Sequence, residues 1–189
     1  IGIAAVVSLI SLGQGMQSAI EDQFFRLGAD KFTIQTKGVV TGPPGSNSDV
    51  MLRTGDLDAV RRANGVQLAV GRLVEPIRVE FNDKERFLYV ATIPRDQKER
   101  DLVVEVANLK MVAGRMLKPQ DQWNVVVSEE YVKNAKFNNK ALAVADKLRI
   151  ENRTVTVVGV FKKTGNPFTD MSFIMNEDPV RAMLDIPDG

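Results

Sequence analysis

Residues 1–27 read IGIAAVVSLISLGQGMQSAIEDQFFRL. The first twelve carry only two polar side chains, both serines, and the run then becomes one-sided without a break. Leu9, Leu12, Met16, Ile20, Phe24 and Leu27 recur every three or four residues, which lines one face of a helix. A helix that is apolar all round and then amphipathic describes a chain passing from an apolar medium into water beside a folded domain. Spanning a bilayer takes about 20 apolar residues, more than are present before Gly13. We therefore read Ile1–Leu12 as the outer end of a transmembrane helix that continues as a stalk to residue 28, the chain being a fragment at both ends. The competing reading is a core helix of a soluble protein, because apolar runs of about 10–14 residues also serve that purpose.

The remaining sequence suits a globular domain: 189 residues, 44% apolar and 26% charged. A net charge of +1 offers no bulk attraction for nucleic acid. One Trp and two Tyr are too few for a base-stacking surface. The chain has no Cys and no His, so disulfides, thiolate nucleophiles, imidazole-based triads and His-ligated zinc are excluded.

Downstream, Gly28 stands at a helix stop and residues 32–36 (FTIQT) alternate as a strand. Residues 38–49 (GVVTGPPGSNSD) have the composition of a loop. Thr54 is expected to cap a helix over 55–63, with Asp56 and Asp58 in its first turn and Arg61 and Arg62 in its last. Val74 to Phe81, a turn at Asn82-Asp83-Lys84, and Phe87 to Val90 form a hairpin. The charged run Asp96 to Asp101 reads as a solvated loop. Residues 123–127 (WNVVV) form a strand buried on both faces, and Ser128 caps a helix expected to reach Phe137. Leu148 and Ile150, the turn Glu151-Asn152-Arg153, and Val155 to Val160 make a second hairpin. A polar loop at 162–170, a strand at 172–175 and a helix from Asn176 with Pro179 in its first turn complete the chain. Hairpins alternating with short helices define an α+β class.

No arrangement of residues supports catalysis, and no catalytic, cofactor-binding or metal-binding residue is assigned. Gly13-Gln14-Gly15 lacks the third glycine and the preceding strand of a phosphate-binding loop. Glu129-Glu130 and Glu177-Asp178 are neighbours pointing about 100° apart, placed as helix-start charges. Asn152-Arg153-Thr154 matches a glycosylation sequon within a turn, and Arg115 reads as an ion-paired or partner-facing cation.

Taken in order, four stretches resemble the extracytoplasmic core domain of MacB-like ABC-transporter permeases, within the wider MacB/FtsX/LolC-E class. They are the opening helix through Leu27-Gly28-Ala29-Asp30; MVAGRMLKPQD with Gly114, Arg115 and Asp121; VVVSEEYVKNAKF ending in Phe137; and DKLRIENRTVTVVGVFKKTGNP with Val157–Val160. One departure is Ala145, where the family carries Gly in a left-handed turn.

The resemblance implies a two-lobed domain on a long N-terminal stalk helix (1–28): a porter-like lobe from 29–73 and 171–189 around an inserted small α/β lobe at 74–170. It implies an extracytoplasmic domain of an ABC-transporter permease that couples cytoplasmic ATP hydrolysis to export or extraction of a substrate. It is not itself an enzyme and takes no cofactor. The implied partners are an ABC ATPase, a second permease protomer, a periplasmic adaptor protein and the lipid bilayer at Ile1–Leu12; the implied location is the cell membrane, with this domain on its periplasmic or extracellular side. The alternatives are an FtsX-type relative that activates an extracellular hydrolase or signalling partner, and a soluble α+β domain.

Overall fold

The computed structural model describes residues 7–8, 10–17, 31–36, 52–134 and 136–187. The chain divides into two compact units, Ile1–Ile34 and Gln35–Gly189.

In the first unit, residues 7–8 and 10–17 are helical (α1), with Val7, Ile10, Leu12 and Met16 all more than half exposed. Among the described residues no helix is long and apolar enough to cross a membrane. Residues 1–6, 9 and 18–30, on which much of the transmembrane-and-stalk reading rests, lie outside the described set, as does the loop at 38–49. Residues 31–36 belong to no strand, contrary to the alternation-based expectation. Their two apolar side chains show why: Phe32 and Ile34 are exposed, so no core face is there to reward the alternation.

The second unit is built on seven strands: β1 (Val74–Phe81), β2 (Lys84–Ile93), β3 (Met111–Gly114), β4 (Asn124–Ser128), β5 (Lys147–Ile150), β6 (Arg153–Phe161) and β7 (Ser172–Asn176). Their order is β3-β6-β4-β7-β2-β1-β5, and β5 pairs with β6 as well as with β1, so six strands close on themselves. The β2–β7 and β4–β6 pairs are parallel; the others are antiparallel. Both hairpins form as the sequence predicts. Asn82 (φ 51°) and Asp83 (φ 57°) supply the left-handed turn between β1 and β2, and Glu151 (φ 49°) opens the turn between β5 and β6.

Alternation then sorts the side chains. Ile77, Val79, Leu88, Val90, Val125, Val127, Leu148, Ile150, Val155, Val157, Phe173 and Met175 belong to one core cluster. The intervening Ala91, Ile93, Val126 and Ile174 belong to a second. Strands β4 and β7 are thereby buried on both faces, as expected for β4 from its continuous apolar run. The first cluster includes Tyr131 and Phe137; Tyr131 meets Phe173 edge-on at 5.1 Å, and Phe81 meets Phe137 edge-on at 5.8 Å.

Among the described residues five helices accompany the sheet: α2 (Thr54–Arg61), α3 (Gln97–Val106), α4 (Glu130–Lys133), α5 (Pro167–Met171) and α6 (Glu177–Leu184). Four expectations are corrected here. The cap of α2 is Arg53, not Thr54: its backbone N–H donates to the Asp56 carboxylate at 2.8 Å. The charged run Asp96 to Asp101 is no loop but the start of α3, because the Asp96 side chain accepts from the Lys98 and Glu99 N–H groups (2.9 and 3.1 Å) and nucleates the first turn. The helix after Ser128 is a single turn, ending at Lys133, and the left-handed residues Asn138 and Asn139 keep the chain from resuming it. Within the loop expected at 162–170, Asn166 caps α5.

Candidate functional site

The Gly114–Asp121 loop is where the fold concentrates its special geometry. It leaves β3 through Gly114, whose φ of +67° suits a residue without a Cβ. Gly114 sits opposite Gly159 of β6, next to the register shift that sets Val125 beside Val157 but Val126 beside Gly159. At this crossing the backbones touch. A Cβ on Gly114 would run into the Val158 carbonyl oxygen, and one on Gly159 into the Arg115 carbonyl oxygen. The Arg115 N–H in turn donates to Val158 O at 2.9 Å.

Arg115 then folds its guanidinium onto Asp121 as a fork, at 2.5 and 3.0 Å. Asp121 also accepts from the Lys118 N–H at 2.8 Å. Of the two readings of Arg115, the structure shows the ion pair. The Arg115 hydrogen bond, followed by the Lys118 N–H, draws the Asp121 carboxyl from 3.8 down to about 2.

Beneath this loop lies a residue that sequence reasoning missed. Arg100, from the supposedly solvated run, is 4% exposed. One guanidinium nitrogen donates to Pro94 O (2.8 Å) and to Asn176 Oδ1 (2.9 Å), and the other to Leu117 O (2.6 Å). Burial holds its pKa below the usual arginine value, partly offset by Asp121 and Asp101. Asn176, 5% exposed, completes the clasp by donating to Lys118 O (2.7 Å) and Asp121 O (2.6 Å). The ends of β2 and β7, the start of α3 and the loop are thus joined by one satisfied polar network. The signal that could have revealed it is the spacing Arg100–Val103, which places both on one face of a helix capped by Asp96.

The other residues singled out from sequence fall elsewhere. Glu129 and Glu130 bind lysines at the far end of the sheet, with Lys133–Glu129 at 2.7 Å and Lys136–Glu130 at 3.2 Å. Asn152 is exposed in its turn, beside an open hollow of about 570 Å³ that Glu151, Arg153 and residues 182–185 also line. Gly13 and Gly15 are helical, with open space where a Cβ would stand. Ala145 has φ +76°, so the chain keeps a left-handed turn here in spite of the Cβ. Among the described residues no three His, Cys, Asp or Glu side chains are grouped to hold a metal ion.

The Arg115–Asp121 pair has a pH signature. A carboxyl held lower in the folded state than in the unfolded chain adds stability above about pH 4, and loses it as pH falls towards 2. Asp121 is 12% and Arg115 42% exposed, so solvent screening limits the contribution to roughly 1–2 kcal/mol. Urea midpoints measured at pH 5 and pH 2.5 will show this decline in the parent chain and a smaller one in Asp121→Asn. Equal declines would remove the pair from the acid response.

The fold is similar to those of two solved transporter domains. One is the extracellular domain of the noncanonic ABC-type transporter YknZ from Gram-positive bacteria (TM-score 0.53, 14% identity, 69% of this chain and 65% of that one). The other is the periplasmic region of MacB from Actinobacillus actinomycetemcomitans (TM-score 0.52, 17% identity, 73% and 61%). At these identities the likeness is one of fold. The chain belongs to the family of MacB-like periplasmic core domains, whose model matches residues 1–185. It is also 28% identical over 179 residues to an uncharacterized ABC transporter permease of Methanocaldococcus jannaschii, covering 94% of this chain and 43% of that relative. The chain therefore spans less than half the length of this permease.

Proposed function

We propose that this chain is the extracytoplasmic domain of an ABC-transporter permease and transmits conformational change between the membrane and a partner or substrate outside it. In this reading a cytoplasmic ABC ATPase supplies the energy, a second protomer completes the permease, and Ile1–Leu12 belongs to the bilayer. The domain performs no catalysis and carries no catalytic, cofactor or metal residue. Export or extraction of a substrate, with a periplasmic adaptor as a further partner, is the work assigned to the whole assembly.

The observation that carries this reading is the Arg100–Asn176 clasp. Residues 52–73 lead into the start of β1, and α6 leaves from the end of β7, so both run at the same end of the sheet. Arg61 of α2 reaches Glu99 of α3 at 2.9 Å, and Arg100, the next residue, is tied to Asn176 just before α6. A displacement arriving through either segment meets a joint of directed hydrogen bonds and is passed to the sheet as a unit. The division into a porter-like lobe (29–73, 171–189) and an inserted lobe (74–170) belongs to the proposal, with β7 pairing into the sheet across the second boundary.

The test is to break the rod. Gln17 closes the described helical run 10–17, and proline there removes its N–H and clashes with the preceding turn, at a cost of about 3 kcal/mol in a helix. In the full-length permease with its ATPase, paired spin labels on β1 and α6 of the two protomers will report an ATP-driven distance change. Gln17→Pro is expected to abolish that change while ATP turnover continues. An unaltered distance change in Gln17→Pro would overturn the reading.

A further inference from the structure

Cations gather at one end of the second unit. At the end where β1 finishes and β2 begins, a chain of contacts links one cation to the next. Lys162 donates its N–H to Lys110 O at 2.7 Å, and the adjacent Lys163 reaches Glu130 at 3.3 Å. Glu130 also binds Lys136 at 3.2 Å, while Arg86 donates to Lys136 O at 2.7 Å. Lys140 stands over the Phe81 ring at 4.9 Å, three residues before Lys84, and Lys133 pairs with Glu129. These are eight cations, against the exposed Asp83 and Glu85 and the half-buried Glu129 and Glu130, while Glu80, opposite Glu85, is cancelled by its partner Arg149. With the whole chain at +1, this end holds an excess of four positive charges and the remaining sequence a net −3.

Two further features bear on what such an end would meet. The cations are backed by fixed structure: Arg86 lies over the Phe137 ring at 5.8 Å and Lys136 over the Tyr131 ring at 5.2 Å, both rings belonging to the core cluster. Their heads are therefore positioned rather than free to wander, which lowers the entropy lost on binding. The end is also the one opposite residues 52–73 and α6, where the chain enters and leaves the sheet.

We infer that this end is a docking surface for an acidic protein. The inference rests on the permease reading for one step only: with this domain outside the membrane, the partners available to this end are soluble extracytoplasmic proteins. Glu129 and Glu130 are held by Lys133, Lys136 and Lys163, so among the described residues the stripe offers its unpaired lysines Lys84, Lys140 and Lys162 to the carboxylates of an acidic partner.

The probe is a fluorescent poly-L-glutamate of about 20 residues, titrated onto the 189-residue chain by anisotropy at low salt. Lys84, Lys140 and Lys162 form no salt bridge among the described residues, so reversing them deletes no ion pair of the fold. Lys84→Glu, Lys140→Glu and Lys162→Glu combined are expected to weaken binding by about tenfold or more. Arg62→Glu, Lys98→Glu and Lys118→Glu combined, at the opposite end, should change it less than about twofold. Unchanged circular dichroism and thermal midpoint will certify both variants as folded. Equal weakening by the two triples, absence of binding, or tighter binding to phosphatidylglycerol vesicles than to the polypeptide would each overturn the proposal. Because this assay reads no ATP-driven motion, its failure and that of the Gln17→Pro experiment are separable.

Discussion

Gly159→Ala is expected to lower the stability of this domain by about 3 kcal/mol, through forced overpacking of a well-filled site. The added methyl would meet the Arg115 carbonyl oxygen, stand 2.5 Å from Met111 Cε and 3.0 Å from the Arg115 carbonyl carbon. The methionine terminus can swing aside. The backbone carbonyl cannot, because the Arg115 N–H is bonded to Val158 and its side chain is clamped to Asp121. Relief therefore requires β3 to separate from β6, which sacrifices ladder hydrogen bonds at the crossing. In a domain of this size the loss corresponds to a thermal midpoint lower by roughly 6–12 °C. Gly55→Ala, in the first turn of α2, is the control, since a Cβ there meets nothing within 4 Å and no loss of stability is expected. Thermal denaturation of the two variants beside the parent decides the matter: comparable midpoints would mean that the Gly114–Gly159 contact carries no stability.

That contact also marks the limit of what residue order alone revealed. The hairpins at 74–93 and 147–161 were legible because alternation is a local signal, reinforced by turn residues that adopt left-handed conformations. Strand β4 was legible from its unbroken apolar run, and the last helix from Pro179 in its first turn. Gly114, Arg115 and Asp121 were visible only as a family-like pattern. The reason for it, two backbones in contact and a forked ion pair, depends on a strand 45 residues away in sequence at Gly159. Helix α3 was hidden because its first five residues, 97–101, are all polar or charged, and the buried member of that run, Arg100, has no apolar neighbour to advertise its face before Val103. Residues 32–36 failed in the opposite sense: the alternation was present, but among the described residues no sheet takes it up. Pattern reports what a segment can do; burial decides whether it does.

The larger expected effect is at Arg100. Replacing it by Met keeps much of the stem volume but leaves Pro94 O, Leu117 O and Asn176 Oδ1 facing a buried site with no donor. Each stranded acceptor costs about 1–3 kcal/mol, and removing one partner of a buried charged network commonly costs about 3–5 kcal/mol in all. Arg100→Lys should recover little of this, since an ammonium cannot span three acceptors arranged for a planar fork. Asn176→Ala removes one of those acceptors together with two donors to the loop, so the double variant should lose less than the sum of the two single losses, by about 1–2 kcal/mol. Urea unfolding of the four proteins in the cycle yields that coupling directly. Strict additivity would mean that Arg100 and Asn176 stabilise the sheet independently, and the joint through which motion is proposed to pass would have to be sought elsewhere. A coupling of the expected size, with spin-label distances in the full-length permease that no longer respond to ATP in a folded Asn176→Ala protein, would tie the same network to both stability and transmission.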